Sequence, residues 1–284
     1  MARTEKGGGR GEEARRNAYV SNALVRGLNI LRLFGPEHAT LSLADVARLL
    51  GETRASCFRY LYTLQHLGYL EQDTKTKRFQ LTPKVMELGF AYLNSQPLID
   101  VARPEMERLR DLSQASCHLG VLDGAAVVYI ARVPAHGVTS IHIAVGARLP
   151  VYATAMGKVL LAYQPRERVE SLLAALPSMT RFTETTVRDV ETLRQELEAV
   201  RERGFAFSDG EYEAEVRSVA VPIFNADGVA EAAINLAGSK TAFALARLHE
   251  VLPEMFRAGE RLSRFKGYLG RYQVSEISSA KESV

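Results

Sequence analysis

The chain contains few cysteines and has no apolar run of membrane-spanning length. Its two cysteines among 284 residues, Cys57 and Cys117, fall in separate predicted domains and are typical of small buried residues rather than of a disulfide. No stretch approaches the ~20 consecutive apolar residues that a spanning helix needs. Residues 1–17 are polar and rich in glycine, which argues against a signal peptide. We therefore expect a cytoplasmic protein that does not contact a membrane.

The spacings on which common catalytic and metal sites depend are also missing. The six histidines are scattered, and there is no His-x-x-x-His or Cys-x-x-Cys pair. The segment around Lys158 resembles a nucleotide-binding Walker motif only superficially, because Tyr152 stands where glycine is needed and Val159 where Ser or Thr is needed. We expect no catalytic residue, no metal and no cofactor.

The charge is unevenly distributed along the chain. The net charge is +3, from 36 basic and 33 acidic residues. Residues 1–82 hold 13 Lys and Arg against 8 Asp and Glu, a net of +5, so the remaining 202 residues carry −2. A basic module joined to a nearly neutral one suits a phosphate-binding head attached to a body with another role.

The basic part carries the signals of two short helices joined by a tight turn. Ser42 precedes a helical apolar pattern, and Asp45 follows three residues later, as in a capping box. Gly51 ends that helix, and Thr53 can cap a second helix over about 54–67. This is the helix-turn-helix arrangement, whose second helix can enter a major groove.

A basic hairpin after the second helix completes a winged helix-turn-helix, for which we predict DNA binding. Arginine can bond guanine, serine can bond a base or a phosphate, and the hairpin tip can touch the DNA backbone or minor groove. For Arg59, a phosphate contact or an internal ion pair is as good an interpretation as base reading, and Tyr60 can equally be a packing residue. The predicted contacts are Arg54, Ser56, Arg59, Tyr60 and Thr63 on the helix, and Lys75, Lys77 and Arg78 on the hairpin.

The remaining pattern predicts further segments. The helix after Thr82-Pro83 is apolar on two sides, which indicates a partner chain and hence a homo-oligomer. The N-terminal arm either contacts DNA or acts as a solubilising tail. The predicted segments are a disordered basic arm (1–21), a winged helix-turn-helix domain (22–82), a linker helix (83–103), an effector domain (104–270) and a flexible tail (271–284).

Beyond Pro104 the pattern alternates between strands and helices. Turns that contain Asp-Gly between apolar runs are strong hairpin signals. Hairpin strands with peripheral helices predict an α+β domain around an antiparallel sheet. The predicted features are hairpins at Asp123-Gly124 and 225–228, a strand at Ser140–Val145, and helices over 104–115, 166–175, 189–203 and Thr241 to about Phe265.

Five segments in this order resemble the IclR family of bacterial transcriptional regulators, over residues 22–270. The resemblance implies a GAF-like effector domain, dimers or dimers of dimers, and ligand-dependent binding to palindromic promoter sites. Two of the segments look most like the PcaU, PcaR and PobR branch, which senses aromatic acids. A short aliphatic acid or a sugar acid is the alternative ligand, and an enzyme or a stand-alone sensor with a vestigial DNA-binding head is a remote alternative function. The segments are VRGLNILRLF, RASCFRYLYTLQHLGYL, FQLTPKVMELG, VGARLPVYATAMGKVLLA and FSDGEYEAEVRSVAVPIF.

The predicted effector site lies where a loop enters a helix at Thr154. Free backbone N–H groups at such a point can bind a carboxylate. The resemblance implies that the amides of Ala155 and Met156 bind the acid, and that Asp209, Ser218 and Asn235 add polar pocket groups. Arg132, Arg148 and Tyr152 flank the same loop and can supply charge or stacking, with surface ion pairs and core packing as their alternative roles.

Overall fold

Helix caps set the bounds of the elements in the N-terminal unit. The computed structural model describes residues 19–136, 143–176 and 178–272, and the chain divides into two compact units between Tyr92 and Leu93. The capping box of Ser42 and Asp45, the left-handed Gly51 (φ 65°) and the Thr53 cap are present as predicted. The elements are α1 (Asn22–Arg32), α2 (Leu43–Leu50), α3 (Arg54–His66), β1 (Leu70–Gln72) and β2 (Phe79–Leu81).

A small apolar core joins the helices to the wing, the antiparallel hairpin of β1 and β2. Cys57 and Leu61 of α3 are fully buried, together with Ile30 of α1 and Val46 of α2. The backbone of Leu41 exchanges two hydrogen bonds with that of Phe79, at 3.0 and 2.8 Å. The start of the helix-turn-helix is therefore tied directly to the second strand of the wing.

The connection between the two units differs from the predicted linker helix. A 3₁₀ turn (Pro83–Val85) leads into α4 (Met86–Asn94), and a separate helix, α5 (Pro97–Ser113), follows. The helix predicted over 83–103 is thus broken at residues 95–96, because the residue before a proline disfavours the helical conformation. The helix predicted to begin at Pro104 begins at Pro97 and runs through Pro104.

The second unit is built on one six-stranded antiparallel sheet. Gly124 (φ 59°) and Gly228 (φ 76°) take the left-handed conformation in the β3–β4 and β7–β8 hairpins, where these turns were predicted. The strands are β3 (Ser116–Asp123), β4 (Ala126–Val133), β5 (Arg148–Pro150), β6 (Ala206–Asp209), β7 (Val216–Phe224) and β8 (Ala230–Ser239). Their order in the sheet is β5-β4-β3-β8-β7-β6.

Helices cover both faces of this sheet. Helices α5 and α9 (Leu245–Phe265) pack on one face of the sheet and on each other. Helix α6 (Ala155–Ala162) lies against β3, β4, β6, β7 and β8 on the other face, and α8 (Val190–Arg203) packs behind it. Every residue of α6 is buried. Helix α7 (Arg166–Ala174) lies between α6 and α8 in the sequence. The predicted α+β architecture is confirmed.

Two predicted elements differ from the structure. Helix α9 begins at Leu245 rather than Thr241, because residues 239–243 form a turn that buries Phe243 completely. Of the strand predicted over Ser140–Val145, residues 140–142 lie outside the described residues, and 143–145 lead without strand pairing into a turn at Gly146 (φ 88°).

The predicted basic arm and flexible tail fall almost wholly outside the described residues, which begin at Tyr19 and end at Tyr272. Both therefore stay predictions. Among the described helices, none is both long enough and apolar enough to cross a bilayer.

The close approach of α6 to the chain before it gives a stability test. A Cβ on Gly157 would overlap the backbone of Val151, whereas a Cβ on Gly89 of α4 meets nothing within 4 Å. We expect Gly157→Ala to destabilise the protein by about 1–3 kcal/mol, because this overlap outweighs the usual gain of alanine in a helix. Gly89→Ala should be neutral or slightly stabilising. Thermal and denaturant unfolding measure both, and equal effects would contradict the packing described.

Candidate DNA interface and effector site

Helix α3 presents the predicted DNA contacts in two groups. Arg54, Arg59 and Thr63 are exposed, whereas Ser56 and Tyr60 are half-buried. The Tyr60 hydroxyl accepts a hydrogen bond from the guanidinium of Arg26, at 3.3 Å. Arg59, Tyr60 and Thr63 line a largely apolar groove between α1 and α3. Tyr60 therefore faces α1, in line with its alternative interpretation as a packing residue.

The wing separates its three cations into two roles. Lys75 and Lys77 are exposed at the tip, where the carboxylate of Asp73 accepts bonds from backbone amides of the turn. Arg78 points inward, and its guanidinium donates to the hydroxyl and carbonyl oxygens of Thr40, both at 2.9 Å. It also pairs with Asp45, at 3.3 Å. Arg78 thus fastens the wing to α2, and because its side chain is still 42% exposed, its contact with DNA stays a prediction.

One face of the effector-domain sheet is polar although it is buried. Side chains alternate between faces along a strand, and the strand register brings His118 beside Asn235 and Ser218 beside Ser208. Neighbouring positions on this face are small, with Gly120, Ala220, Ala233 and Ala237. This is the face against α6, because a Cβ on Gly120 would overlap the sulfur of Met156.

His118 is a fully buried titratable group of this face. Its Nδ1 lies 3.1 Å from Oδ1 of Asn235, so the neutral ring donates from Nδ1. Its Nε2 has no hydrogen-bond partner in the described part of the chain. Burial lowers the pKa of His118 to about 4, the bond to Asn235 opposes this shift, and the charge of Arg132 adds to it. The ring is therefore neutral at pH 7.

A narrow cavity of about 30 Å³ opens between this face and the start of α6. Polar atoms of four strands and loops converge on it, and Tyr129 and Tyr212 supply aromatic walls. Glu213 stands at its exposed rim. The lining residues are Tyr129, Ile143, Leu149, Ala153, Thr154, Ser208, Tyr212, Glu213, Val216, Ser218, Asn235 and Ala237.

The N-terminus of α6 borders the cavity. The Thr154 hydroxyl accepts from the backbone N–H of Gly157, at 3.1 Å, and donates to the carbonyl of Pro150. Helical hydrogen bonds reach back four residues, so the N–H groups of Ala155 and Met156 have no partner within the helix. Both residues are fully buried. The site therefore combines free amide donors with a water-poor environment, in which an anion is bound more strongly than in solvent.

The structure places other predicted effector residues away from the cavity lining. Arg148 is exposed and pairs with Asp123, at 2.6 Å, at the end of the sheet. Asp209 follows the lining residue Ser208 and so points to the opposite face of β6, where it pairs with Arg217 and Lys240, both at 3.0 Å.

Tyr152 and Arg132 have different surroundings. The Tyr152 hydroxyl accepts from the backbone N–H of Thr180, at 2.8 Å, and its ring stacks on Phe182. It therefore fastens the loop before α6 rather than facing the cavity. Arg132 is half-buried and sits directly across the strand register from His118.

Sequence reasoning missed several lining residues. Tyr129, Ser208 and Tyr212 line the cavity and were not singled out. His118, beside Asn235 on the same sheet face, was not predicted to belong to the effector site. Tyr129 joins the polar face through an irregularity in the β3–β4 register between Leu119 and Gly120, which shifts the strand alternation by one residue. Sequence alternation alone carries no signal of such a shift.

A buried ion pair holds the loop that carries Tyr212. Lys158 of α6 lies 2.6 Å from Glu211, and both residues are buried. The hydroxyl of Thr186 donates to the backbone carbonyl of Glu211 from the other side, at 2.7 Å. Burial raises the pKa of Glu211, and the charge of Lys158 opposes this shift. Glu211 is thus a buried anchor of this loop.

Known proteins resemble the chain over both units. Residues 23–74 match the IclR helix-turn-helix domain, and residues 90–264 match the C-terminal domain of bacterial IclR transcriptional regulators. The chain belongs to the IclR family. Its family relatives are regulators and not enzymes, and this family member is accordingly a ligand-responsive transcriptional regulator.

Relatives within the IclR family differ in name at similar identity. The HTH-type transcriptional regulator KdgR of Escherichia coli K12 is 31% identical over 87% of this chain and 93% of its own length. The Pca regulon regulatory protein of Pseudomonas putida is 36% identical over 75% of this chain and 73% of its own. The crystal structure of an IclR homologue complexed with 4-hydroxybenzoate, from Microbacterium hydrocarbonoxydans, is 27% identical, covers 86% of this chain and 100% of its own, and has a TM-score of 0.70.

The buried histidine predicts a pH dependence of stability. The unfolded chain takes up a proton at His118 near pH 6.5, whereas the folded chain does so only near pH 4. Stability is therefore lost as the pH falls through this window, by about 3 kcal/mol in all. The His118→Gln variant should lose this part of the slope in denaturant unfolding between pH 6.5 and 4.5. His38→Gln, at an exposed position, serves as the control and should keep the slope of the wild type.

Proposed function

We propose that this regulator binds a small carboxylic acid between the N-terminus of α6 and the polar sheet face, and that the acid changes its affinity for promoter DNA. The observation that carries the proposal is the buried polar face of His118, Asn235, Ser218 and Ser208 beneath free helix amides. Buried polar groups are normally satisfied, and a bound acid supplies acceptors for the amides and further partners for the hydroxyls.

The helix amides and the carboxylate of Glu213 act in opposite directions on such an acid. The amides of Ala155 and Met156 attract the carboxylate, whereas the carboxylate of Glu213 at the rim repels it. The other end of the ligand then lies toward Glu213, which accepts hydrogen bonds. An acid with a distant hydroxyl group suits both ends.

An aromatic hydroxy acid is the ligand we favour. Tyr129 and Tyr212 provide aromatic walls, and rings in contact prefer stacked or edge-to-face packing. The name of the Pseudomonas putida relative refers to the Pca regulon, and the Microbacterium homologue binds 4-hydroxybenzoate. A short aliphatic or sugar acid is the second candidate, because the cavity of about 30 Å³ must widen less for a small ligand than for an aromatic one.

Paired acids and amides test the site. We expect 4-hydroxybenzoate or protocatechuate to raise the melting temperature, since a ligand of the folded state adds about 2.7 kcal/mol at a hundred times its Kd. 4-Hydroxybenzamide has the same shape without the charge and should give no shift. The Ser218→Ala variant should bind at least several-fold more weakly, whereas Ser239→Ala, just outside the cavity on β8, should bind as the wild type does.

Promoter-DNA binding with and without the active acid completes this experiment. A shift by glyoxylate or pyruvate alone would keep the site and reject the aromatic ligand. Equal shifts by the acid and the amide would reject the helix amides as the carboxylate site. Unchanged DNA affinity upon ligand binding would reject the coupling, for which α4 is the proposed element because it connects the two units in sequence.

We further propose that the protein is a homo-oligomer assembled through α1 and α4. Helix α4 has no buried residue, yet Met86, Leu88 and Phe90 are about half exposed, and so are Leu24 and Leu28 of α1. Exposed apolar area on this scale marks an interaction surface. A second copy is the fitting occupant, because two heads bind two half-sites of a palindrome.

A charge on α4 should weaken this assembly. We expect Phe90→Lys to shift the protein toward the monomer in sedimentation velocity at micromolar concentration, because the lysine must be desolvated in the interface. Glu87→Lys adds a positive charge on the same helix at a polar position and should leave the oligomer intact. A monomeric wild type, or equal behaviour of the two variants, would contradict this assembly.

A further inference from the structure

A stripe of exposed side chains runs along one side of α3, at Arg54, Phe58, Tyr62 and His66. Residues four apart lie above one another on a helix, and all four are exposed. The ring centroids of Phe58 and Tyr62 are 6.3 Å apart, with an interplanar angle of 27°. Phe58 is 54% exposed and Tyr62 is 62% exposed. The two rings form one continuous apolar surface.

This surface belongs neither to the core nor to the groove beside α1. The core side of α3 is formed by Cys57, Leu61 and Leu64, and the α1 side by Tyr60 and Thr63. The stripe lies on the third side, which nothing in the described N-terminal unit covers. Two large aromatic rings left in water on a helix with an ample buried side call for an external partner.

The charges around the stripe indicate the partner. Arg54 precedes the rings on the helix and Arg59 lies between them in sequence, while Lys75 and Lys77 stand on the wing tip of the same unit. None of these four cations forms an ion pair within 4 Å among the described residues. Unpaired cations beside an apolar strip suit DNA, which offers phosphates along the groove edges and an apolar group in its floor.

The apolar group in the major groove is the 5-methyl group of thymine, which distinguishes thymine from the other bases. We propose that Phe58 and Tyr62 pack against thymine methyl groups and so determine part of the DNA sequence that this protein prefers. The inference rests on the proposed DNA binding of α3. It adds apolar base reading to the hydrogen bonds available from Arg54.

The inference is tested by removing single methyl groups from the DNA. Duplexes are first selected from a random pool with the full-length protein, and each thymine of the best duplex is then replaced by uracil, which lacks only the methyl group. We expect at least one replacement per half-site to weaken binding about fourfold, the effect of one buried methyl group. Fluorescence anisotropy at fixed salt measures the affinities.

Variants assign the sensitive methyl groups to the two rings. Phe58→Ala should bind the thymine and uracil duplexes with equal affinity at the position whose methyl group Phe58 contacts, and Tyr62→Ala should do so at the position that Tyr62 contacts. Both variants should unfold at nearly the wild-type temperature, because both side chains are exposed. Tyr62→Phe keeps the ring and should retain the sensitivity. Phe265→Ala, a half-exposed ring at the end of α9, is the control and should behave as the wild type.

The possible results distinguish a failure of the methyl reading from a failure of DNA binding by α3. A wild type that binds selected DNA but ignores every uracil replacement overturns the methyl reading and leaves DNA binding intact. The methyl reading by these two rings is likewise overturned if both alanine variants keep the full sensitivity. Failure to select any duplex overturns DNA binding by α3 and the methyl reading together.

Discussion

The burial of helix α6 is the constraint on which the rest of the effector domain depends. A helix hidden along its whole length leaves the N–H groups of its first turn without solvent, so those groups must be met by other partners. Gly157 and Gly120 permit the close approach that hides it, and Thr154 satisfies one amide. Lys158 carries a charge into the same region, which Glu211 neutralises. The cavity, its free amides and the fastened loop around Tyr212 all follow from placing this helix against the sheet.

The sheet has two faces with different tasks. Large apolar residues such as Leu119, Val219, Ile234 and Leu236 are fully buried, and alternation places them opposite the polar face, under α5 and α9. Their packing supplies the hydrophobic stability of the domain. The other face gives up apolar contact in exchange for polar groups and space. The buried histidine with a depressed pKa is the energetic consequence of that exchange.

Local signals in the sequence were sufficient to predict the helices and turns of the winged helix-turn-helix domain. Caps and turn glycines act within a few residues, so Ser42, Gly51 and Thr53 could be assigned without tertiary information. The roles of Arg78 and Tyr60 could not, because their partners Thr40 and Arg26 lie more than thirty residues away. In the effector domain, Ser218 and Asn235 were predicted for the site from the family resemblance, and Thr154 from the point where a loop enters a helix. His118 and Tyr129 required the strand register and its irregularity, which no local pattern encodes.

The small residues of the polar face bear on how such proteins diverge. Ala220, Ala233 and Ala237 occupy positions where a larger or more polar side chain would reshape the cavity, yet the packing under α5 and α9 lies on the other side of the sheet. A lineage can thus exchange one effector for another by a few substitutions on a single layer, without rebuilding its scaffold or its DNA-binding head. Because the cavity and the apolar core lie on opposite faces of the sheet, paralogues that bind different metabolites are the expected outcome.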